Sequence, residues 1–320
     1  MDNIKYKNDM KTIIPICFSF DNNLVMPACV CISSLLMHAK DDTFYDIYIL
    51  HSASENLNKV ELNSIIQHYK NCRIQYRIVG DEFKNSLEIR GITLPTYYRL
   101  LIPELIPEYE KVIYADVDII FRMDLSELYA IDLGTNYIAA TRDLGMNFGQ
   151  SGREYIKSMS QLHVGEYIQA GFIILNTKQI LQDGLVCDFK ELAKQKLKYQ
   201  DQDILNIRCY GKIHFLSLEY NMTDYSFYYV MKEPRILELI FSINDIERAI
   251  NCGNLHFNGH KPWQKYCVNF DIWWEYYRKS PFYNKKFYFD FFFNKMYELD
   301  KLSLWERVKI LVRYFIYGRE

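Results

Sequence analysis

Two acids one residue apart close the apolar run KVIYADVDI (111–119), and they place Asp116 and Asp118 where a cation could be held. Residues i and i+2 of an extended chain face the same side, so both carboxylates can approach one divalent ion. A strand end entering a turn also favours Asp, and the triplet alone leans toward that plainer reading. Hard oxygen ligands of this kind suit Mn²⁺ or Mg²⁺, ions that bridge the phosphates of a nucleotide and neutralise a diphosphate leaving group. Such a site needs further ligands, and the segment HFNGHKPW (256–263) offers them. There His256 could complete the shell, Gly259 would let backbone approach phosphate, and Lys261 would place a point charge on it. The same stretch also reads as a polar turn closed by Gly and Pro.

A second group of polar residues, Gln200-Asp201-Gln202-Asp203, opens the apolar segment ILNI. Acids in a first helical turn complement the helix dipole, which is the simplest account of Asp203. Asp201 and Gln202 read instead as partners for the hydroxyls and the reacting face of a sugar. Arg99 falls one turn into TYYRLLI, where it is either a solvated charge or a group facing a diphosphate.

The elements that must position these residues alternate strand-like and helix-like. TIIPICFSF (12–20) and YDIYIL (45–50) are apolar and rich in β-branched or aromatic residues, and VMPACVCISSLLMHA between them has helical periodicity. A helix near 55–70 and a strand near 73–79 continue the rhythm. Strands are expected at 111–119, 137–143 and 170–176, and helices at 96–102, 178–197 and 201–209. This is the pattern of βαβ units and a mostly parallel sheet, in which ligands gather beyond the carboxyl ends of the strands.

With a formal charge of −2 over 320 residues, no cationic excess marks a general nucleic-acid binder, so DNA and RNA are not expected as partners. Eight cysteines without a Cys-x-x-Cys pair read as reduced thiols. The opening MDNIKYKNDMK carries no leader pattern, and no window approaches 18 consecutive apolar residues, so a cytoplasmic location is expected. From about 269 the composition turns aromatic and basic, which divides the chain into a catalytic domain over 1–268 and a helical extension over 269–320. In residues 301–320, five Lys/Arg stand against two Glu, with Leu304, Val308, Leu311 and Phe315 on one helical face. Such a segment could rest on the inner face of an anionic membrane and bring the protein to a lipid-linked acceptor, or pack on the catalytic domain.

Taken in order, FSFDNN, TYYRL, YADVD, QAGFIILN, YQDQDILN and HFNGHKPW resemble the family 8 glycosyltransferases, above all the lipopolysaccharide and lipooligosaccharide galactosyl- and glucosyltransferase branch. The resemblance covers about residues 12–265. It implies an α/β GT-A fold, Rossmann-like, with a UDP-hexose donor, Mn²⁺, retention of anomeric configuration and a carbohydrate acceptor of the cell envelope. Position by position, it implies Asp116, Asp118 and His256 as metal ligands. Ser19, Asp21 and Asn23 would hold uridine, and Gly259 and Lys261 the diphosphate. Arg99, Val117, Gln169 and Ala170 would contact the donor. Asp143 would lie near the transferred sugar, Asp201 would bind its hydroxyls, and Gln202 would face the anomeric carbon.

Three departures stand out. Leu24 occupies the position of an aromatic that stacks on the base, Gln169 replaces Asn before Ala-Gly, and HFNGHKPW is one residue shorter between Gly259 and Lys261 than the galactosyltransferase pattern. Gln202 reads as a stabiliser of positive charge, because an amide oxygen is a poor nucleophile beside a carboxylate. Two alternatives compete: a catalytically silent sugar-nucleotide-binding partner, and a metal-dependent nucleotidyltransferase, which would need a Gly-rich basic loop that FSFDNN lacks.

Overall fold

The computed structural model describes residues 11–317 apart from residue 55 and residues 89–92, and it divides into two compact units, 1–281 and 282–320. The N-terminal segment read above for a leader, up to residue 10, lies outside the described residues, as do 318–320 of the basic tail. Among the described residues, ten strands lie in the first unit: β1 (Thr12–Ser19), β2 (Thr43–Ser52), β3 (Cys72–Val79), β4 (Val112–Ala115), β5 (Ile119–Ile120), β6 (Ile138–Arg142), β7 (Ile168–Leu175), β8 (Ile213–Phe215), β9 (Met222–Thr223) and β10 (Leu255–His256).

Seven of them form one sheet in the order β3-β2-β1-β4-β7-β6-β8. Its ladders are parallel except on either side of β7, which runs antiparallel to both β4 and β6. The mostly parallel sheet expected from the rhythm is thus interrupted once. All eight residues of β7 are buried, and a strand covered on both faces carries no alternation that betrays its direction. Because β1 and β4 are parallel neighbours, with Cys17 opposite Tyr114, their carboxyl ends open at the same edge of the sheet. The turns that follow, 20–24 and 116–118, start there.

The remaining three strands form a small sheet, β5-β10-β9. In it His256 stands opposite Ile119 on one side and Thr223 on the other. This register brings the distant HFNGHKPW segment to within one residue of Asp118. Elsewhere the helix expected over 178–197 is two, Thr177–Gln182 and Leu185–Leu192, separated by Gly184 at φ +69°. The TYYRLLI segment is wound as a 3₁₀ helix, Leu94–Leu101, before one α-turn, Ile102–Leu105.

The aromatic stretch after 268 is split between the units. Helix Phe270–Lys279 belongs to the first, with Trp273, Trp274 and Tyr277 buried and the rings of Trp273 and Tyr277 stacked 5.7 Å apart. The second unit carries helices Lys285–Asp300 and Leu304–Tyr317. Among the described residues no helix is long and apolar enough to cross a membrane.

All eight cysteines are free thiols, and Cys187 and Cys252 are the exposed ones. Burial pushes the thiols of Cys17 and Cys31 well up, which withholds the reactive thiolate. A disulfide-exchange reagent should therefore modify Cys187 and Cys252 quickly in the native protein and reach Cys17, Cys31 and Cys209 only after unfolding. Mass spectrometry of the labelled peptides reads the pattern directly.

Candidate active site

Beyond Ala115 the chain leaves β4 and turns, so Asp116 and Asp118 stand in a turn rather than on the continuous extended strand expected. The turn is pinned at both ends by backbone hydrogen bonds: Asp116 N–H donates to Gly171 O (2.7 Å), and Asp118 O accepts from Phe257 N–H (2.9 Å). Ligand atoms of Asp116, Asp118 and His256 all lie within 4.8 Å of one another. His256 Nε2 is 3.8 Å from Asp116 Oδ2 and 3.2 Å from Asp118 Oδ1. Asp118 Oδ1 is buried without a hydrogen-bond partner. Leaving a buried carboxylate oxygen unsatisfied is costly, and a cation held by these three side chains would satisfy it. The donor set, two carboxylate oxygens and one imidazole nitrogen, fits Mn²⁺ or a similar divalent ion.

Lys261 donates to the other oxygen of Asp118, Oδ2, and to Phe257 O at 2.7 Å. Burial raises the Asp118 carboxyl, but the adjacent Lys261 ammonium outweighs it and holds the group well below the usual carboxylate range.

Behind the acids lies Arg99, only 3% exposed. Its guanidinium reaches Asp116 Oδ1 (2.9 Å), Asp201 Oδ2 (3.0 Å), Thr96 O (2.9 Å), Thr96 Oγ1 (3.0 Å) and Ala170 O, and it lies 4.2 Å over the ring of Tyr114. An Arg this enclosed is stable only when its charge and donors are matched. In place of an open, anion-facing side chain, the structure has a cation that cross-links two acids. Tyr114 Oη adds a hydrogen bond to Asp116 Oδ1 at 2.8 Å, so this carboxylate is held from two directions.

Asp201 accepts from Thr96 Oγ1 (3.0 Å). Burial pushes its carboxyl up to about 6, opposed by Arg99 and reinforced by Asp116. It is placed by Gln200, a buried non-glycine residue at φ +51°, in the left-handed region that side chains rarely adopt. The amide of Gln202 is fixed at both ends. Its Oε1 accepts from Ala170 N–H (3.0 Å), and its Nε2 donates to Asp143 Oδ2 (3.1 Å). The other oxygen of Asp143 caps helix Leu144–Phe148 by accepting from Met146 N–H (3.0 Å). Asp203, in the first turn of helix Gln200–Arg208, accepts from the Tyr155 and Tyr167 hydroxyls at 2.5 and 2.6 Å.

Val117 and Ala170 are buried, while Ser19 donates to Pro95 O (2.7 Å) and Asp21 caps the turn at Asn23 N–H (2.9 Å). Asn23 is exposed at the same sheet edge, and Gly259 is exposed next to Asp224. Three residues near the centre escaped the reading of the sequence. Gly171 packs directly on the acid and imidazole side chains, and Asn221 accepts from His256 Nδ1 at 2.9 Å. Asp224 Oδ2 would lie 2.3 Å from a Cβ placed on Gly259. Only Gly171 left a signal, as the small residue of QAG just before an apolar run.

A sheet of this order, with a paired-acid turn at its carboxyl edge and a histidine delivered by a small accessory sheet, is the layout of a GT-A glycosyltransferase domain. The chain belongs to glycosyl transferase family 8, whose model matches residues 15–267. It is 32% identical over 183 residues to a Haemophilus influenzae protein named as a glycosyltransferase, covering 56% of this chain and 54% of that one. It is 24% identical over 227 residues to the lipopolysaccharide 1,3-galactosyltransferase of Salmonella typhimurium, covering 69% and 66%. Among solved structures, the bifunctional glycosyltransferase WbbM superposes with a TM-score of 0.70 at 26% identity, over 87% of this chain and 51% of that one. The galactosyltransferase LgtC superposes with a TM-score of 0.67 at 23% identity, over 85% and 98%. The chain thus spans only about half the length of the Haemophilus relative and of WbbM.

Proposed function

We propose that this protein is a retaining hexosyltransferase that moves glucose or galactose from a UDP-sugar to a cell-envelope glycan of the lipopolysaccharide type. The observation that carries the reading is the convergence of Asp116, Asp118 and His256 around a buried carboxylate oxygen with no partner. The names of the relatives support the substrate class. In this reading Asp116, Asp118 and His256 hold Mn²⁺, which when bound neutralises charge on the diphosphate.

Lys261, beside the acid pair, stabilises the departing UDP, and Gly259 leaves its backbone open to the phosphates. Ser19, Asp21 and Asn23 receive the uridine at the carboxyl end of β1, with Leu24 giving apolar contact in place of an aromatic stack. Arg99 acts through Asp116 and Asp201, which it orients, and Asp201 binds sugar hydroxyls. Asp143 holds the Gln202 amide so that its dipole stabilises positive charge developing at the anomeric carbon. The acceptor hydroxyl then arrives on the face from which UDP leaves and gives its proton to a phosphate oxygen of the departing UDP as the new glycosidic bond replaces the sugar–phosphate bond, which retains configuration. Residues 301–320 supply a basic, apolar-faced segment for peripheral contact with an anionic membrane that carries the acceptor.

Release of UDP from a panel of UDP-sugars, with and without Mn²⁺ and with lipopolysaccharide-core oligosaccharides as acceptors, tests the reading. Metal-dependent release from UDP-glucose or UDP-galactose is expected. Tight binding of UDP-sugar without release, whatever the acceptor, would replace it with a silent binder.

A further inference from the structure

A backbone amide can only donate, and one such amide settles the polarity of a hydrogen-bonded chain that ends on His256. Gly171 N–H lies 2.7 Å from the terminal amide of Gln169, so the atom it meets must be the oxygen, Oε1. The same oxygen is 2.9 Å from the terminal amide of Asn221, which must therefore present its NH₂ there. That leaves Asn221 Oδ1 facing His256 Nδ1 at 2.9 Å, and a carbonyl oxygen there requires the proton to be on Nδ1. In the neutral ring the lone pair is then on Nε2, the nitrogen that faces Asp118 Oδ1. Gln169, Asn221 and His256 are 8%, 2% and 2% exposed, so water does not compete for the chain.

We infer that Asn221 and Gln169 are positioning residues that lock His256 as the Nδ1–H tautomer and aim its Nε2 lone pair between the two acids. The inference rests on the metal reading only for its consequence, since the tautomer is a property of the metal-free protein. It also gives a physical account of Gln169. The longer arm folds its oxygen onto Gly171 N–H and simultaneously takes the Asn221 amide, so this side chain faces the imidazole relay rather than the transferred sugar.

The test combines ¹⁵N-histidine NMR of the metal-free protein with titration of Mn²⁺ followed by electron paramagnetic resonance. In wild type the His256 signals, assigned by their loss in His256→Ala, should show a proton fixed on Nδ1. In Asn221→Leu the Nδ1–H loses its acceptor. The tautomer should become mixed and Mn²⁺ affinity should fall about 10- to 100-fold, the range for loss of a group that orients a metal-binding histidine. Asn221→Asp keeps an acceptor for Nδ1–H but gives up the donation to Gln169 Oε1, so it should hold the Nδ1 proton and lose less Mn²⁺ affinity than Asn221→Leu, and this isosteric variant guards against a Leu variant that fails to fold. Gln169→Leu, which frees the Asn221 amide to flip, should fall between the two. A protonated Nε2 with a bare Nδ1 in wild type, or an unchanged tautomer and unchanged Mn²⁺ affinity in folded Asn221→Leu, would overturn the inference. If wild type shows the Nδ1–H tautomer but binds no Mn²⁺, the relay stands and the metal reading falls.

Discussion

Asp118→Asn is expected to lower turnover about 1,000-fold at saturating donor and Mn²⁺, with the protein still folded. A bound cation contributes several kcal/mol of charge stabilisation, and each ~1.4 kcal/mol is a factor of ten in rate, so weakening its hold reaches about three powers of ten. Asn is the stringent substitution, because it keeps size and leaves an oxygen for Lys261 to donate to, where Asp118 Oδ2 now stands. What it removes is the negative charge and the ligand strength of Oδ1, the buried oxygen that has no partner in the fold. Steady-state UDP release against Mn²⁺ concentration, paired with thermal unfolding, separates the two effects. A variant within about fivefold of wild type at every Mn²⁺ concentration would mean that the acid pair is structural and that the function proposed for the site is wrong.

The sequence announces this centre through its oxygen and nitrogen ligands and leaves the geometry that joins them unannounced. Asp116-Val117-Asp118 and His256 are legible because acids ending an apolar strand and a His–Gly–Lys turn are uncommon in combination. The βαβ rhythm of the first hundred residues is legible for a similar reason. Strands such as β1 and β2 are long enough for composition to separate them from the helix between. The sheet that brings the two halves of the centre together is not legible, because β5, β9 and β10 have two residues each and no period can be read from two residues. Asn221 is silent as well: it lies 35 positions from His256 and 52 from Gln169, and nothing in SLEYNMTD distinguishes it from any turn asparagine. Arg99 is legible only in part. One charge near a helix start reads as a solvated group or as one facing a diphosphate, and the fold encloses it between Asp116 and Asp201, where only the three-dimensional match of its donors makes the burial tolerable.

Gly171→Ala should depress kcat/KM at least about 100-fold, although it adds a single methyl far from any charged function of its own. The added Cβ would lie 2.4 Å from His256 Cε1, 2.5 Å from Asp116 Oδ2 and 3.1 Å from Gln169 Oε1. None of these neighbours has an easy retreat. His256 is enclosed, and its Nδ1 is tied to Asn221; Asp116 is tied to Arg99 and Tyr114. The backbone of β7 cannot back away cheaply either, because Gly171 O accepts from Asp116 N–H and the next residue, Phe172, is paired with Ala115. The methyl therefore acts as a wedge between the first acid and the imidazole. Packed interiors respond to an extra methylene by shifts that cost about 1–3 kcal/mol, and a ligand displaced by ~1 Å can cost 10²-fold in rate. The signature that separates this from general destabilisation is a rise in the Mn²⁺ concentration needed for half-maximal rate, measured well below the unfolding temperature. If the Ala variant loses stability but keeps both its Mn²⁺ requirement and its rate, the wedge has been absorbed by the sheet, and the close approach at Gly171 serves packing rather than the placement of His256 against Asp116.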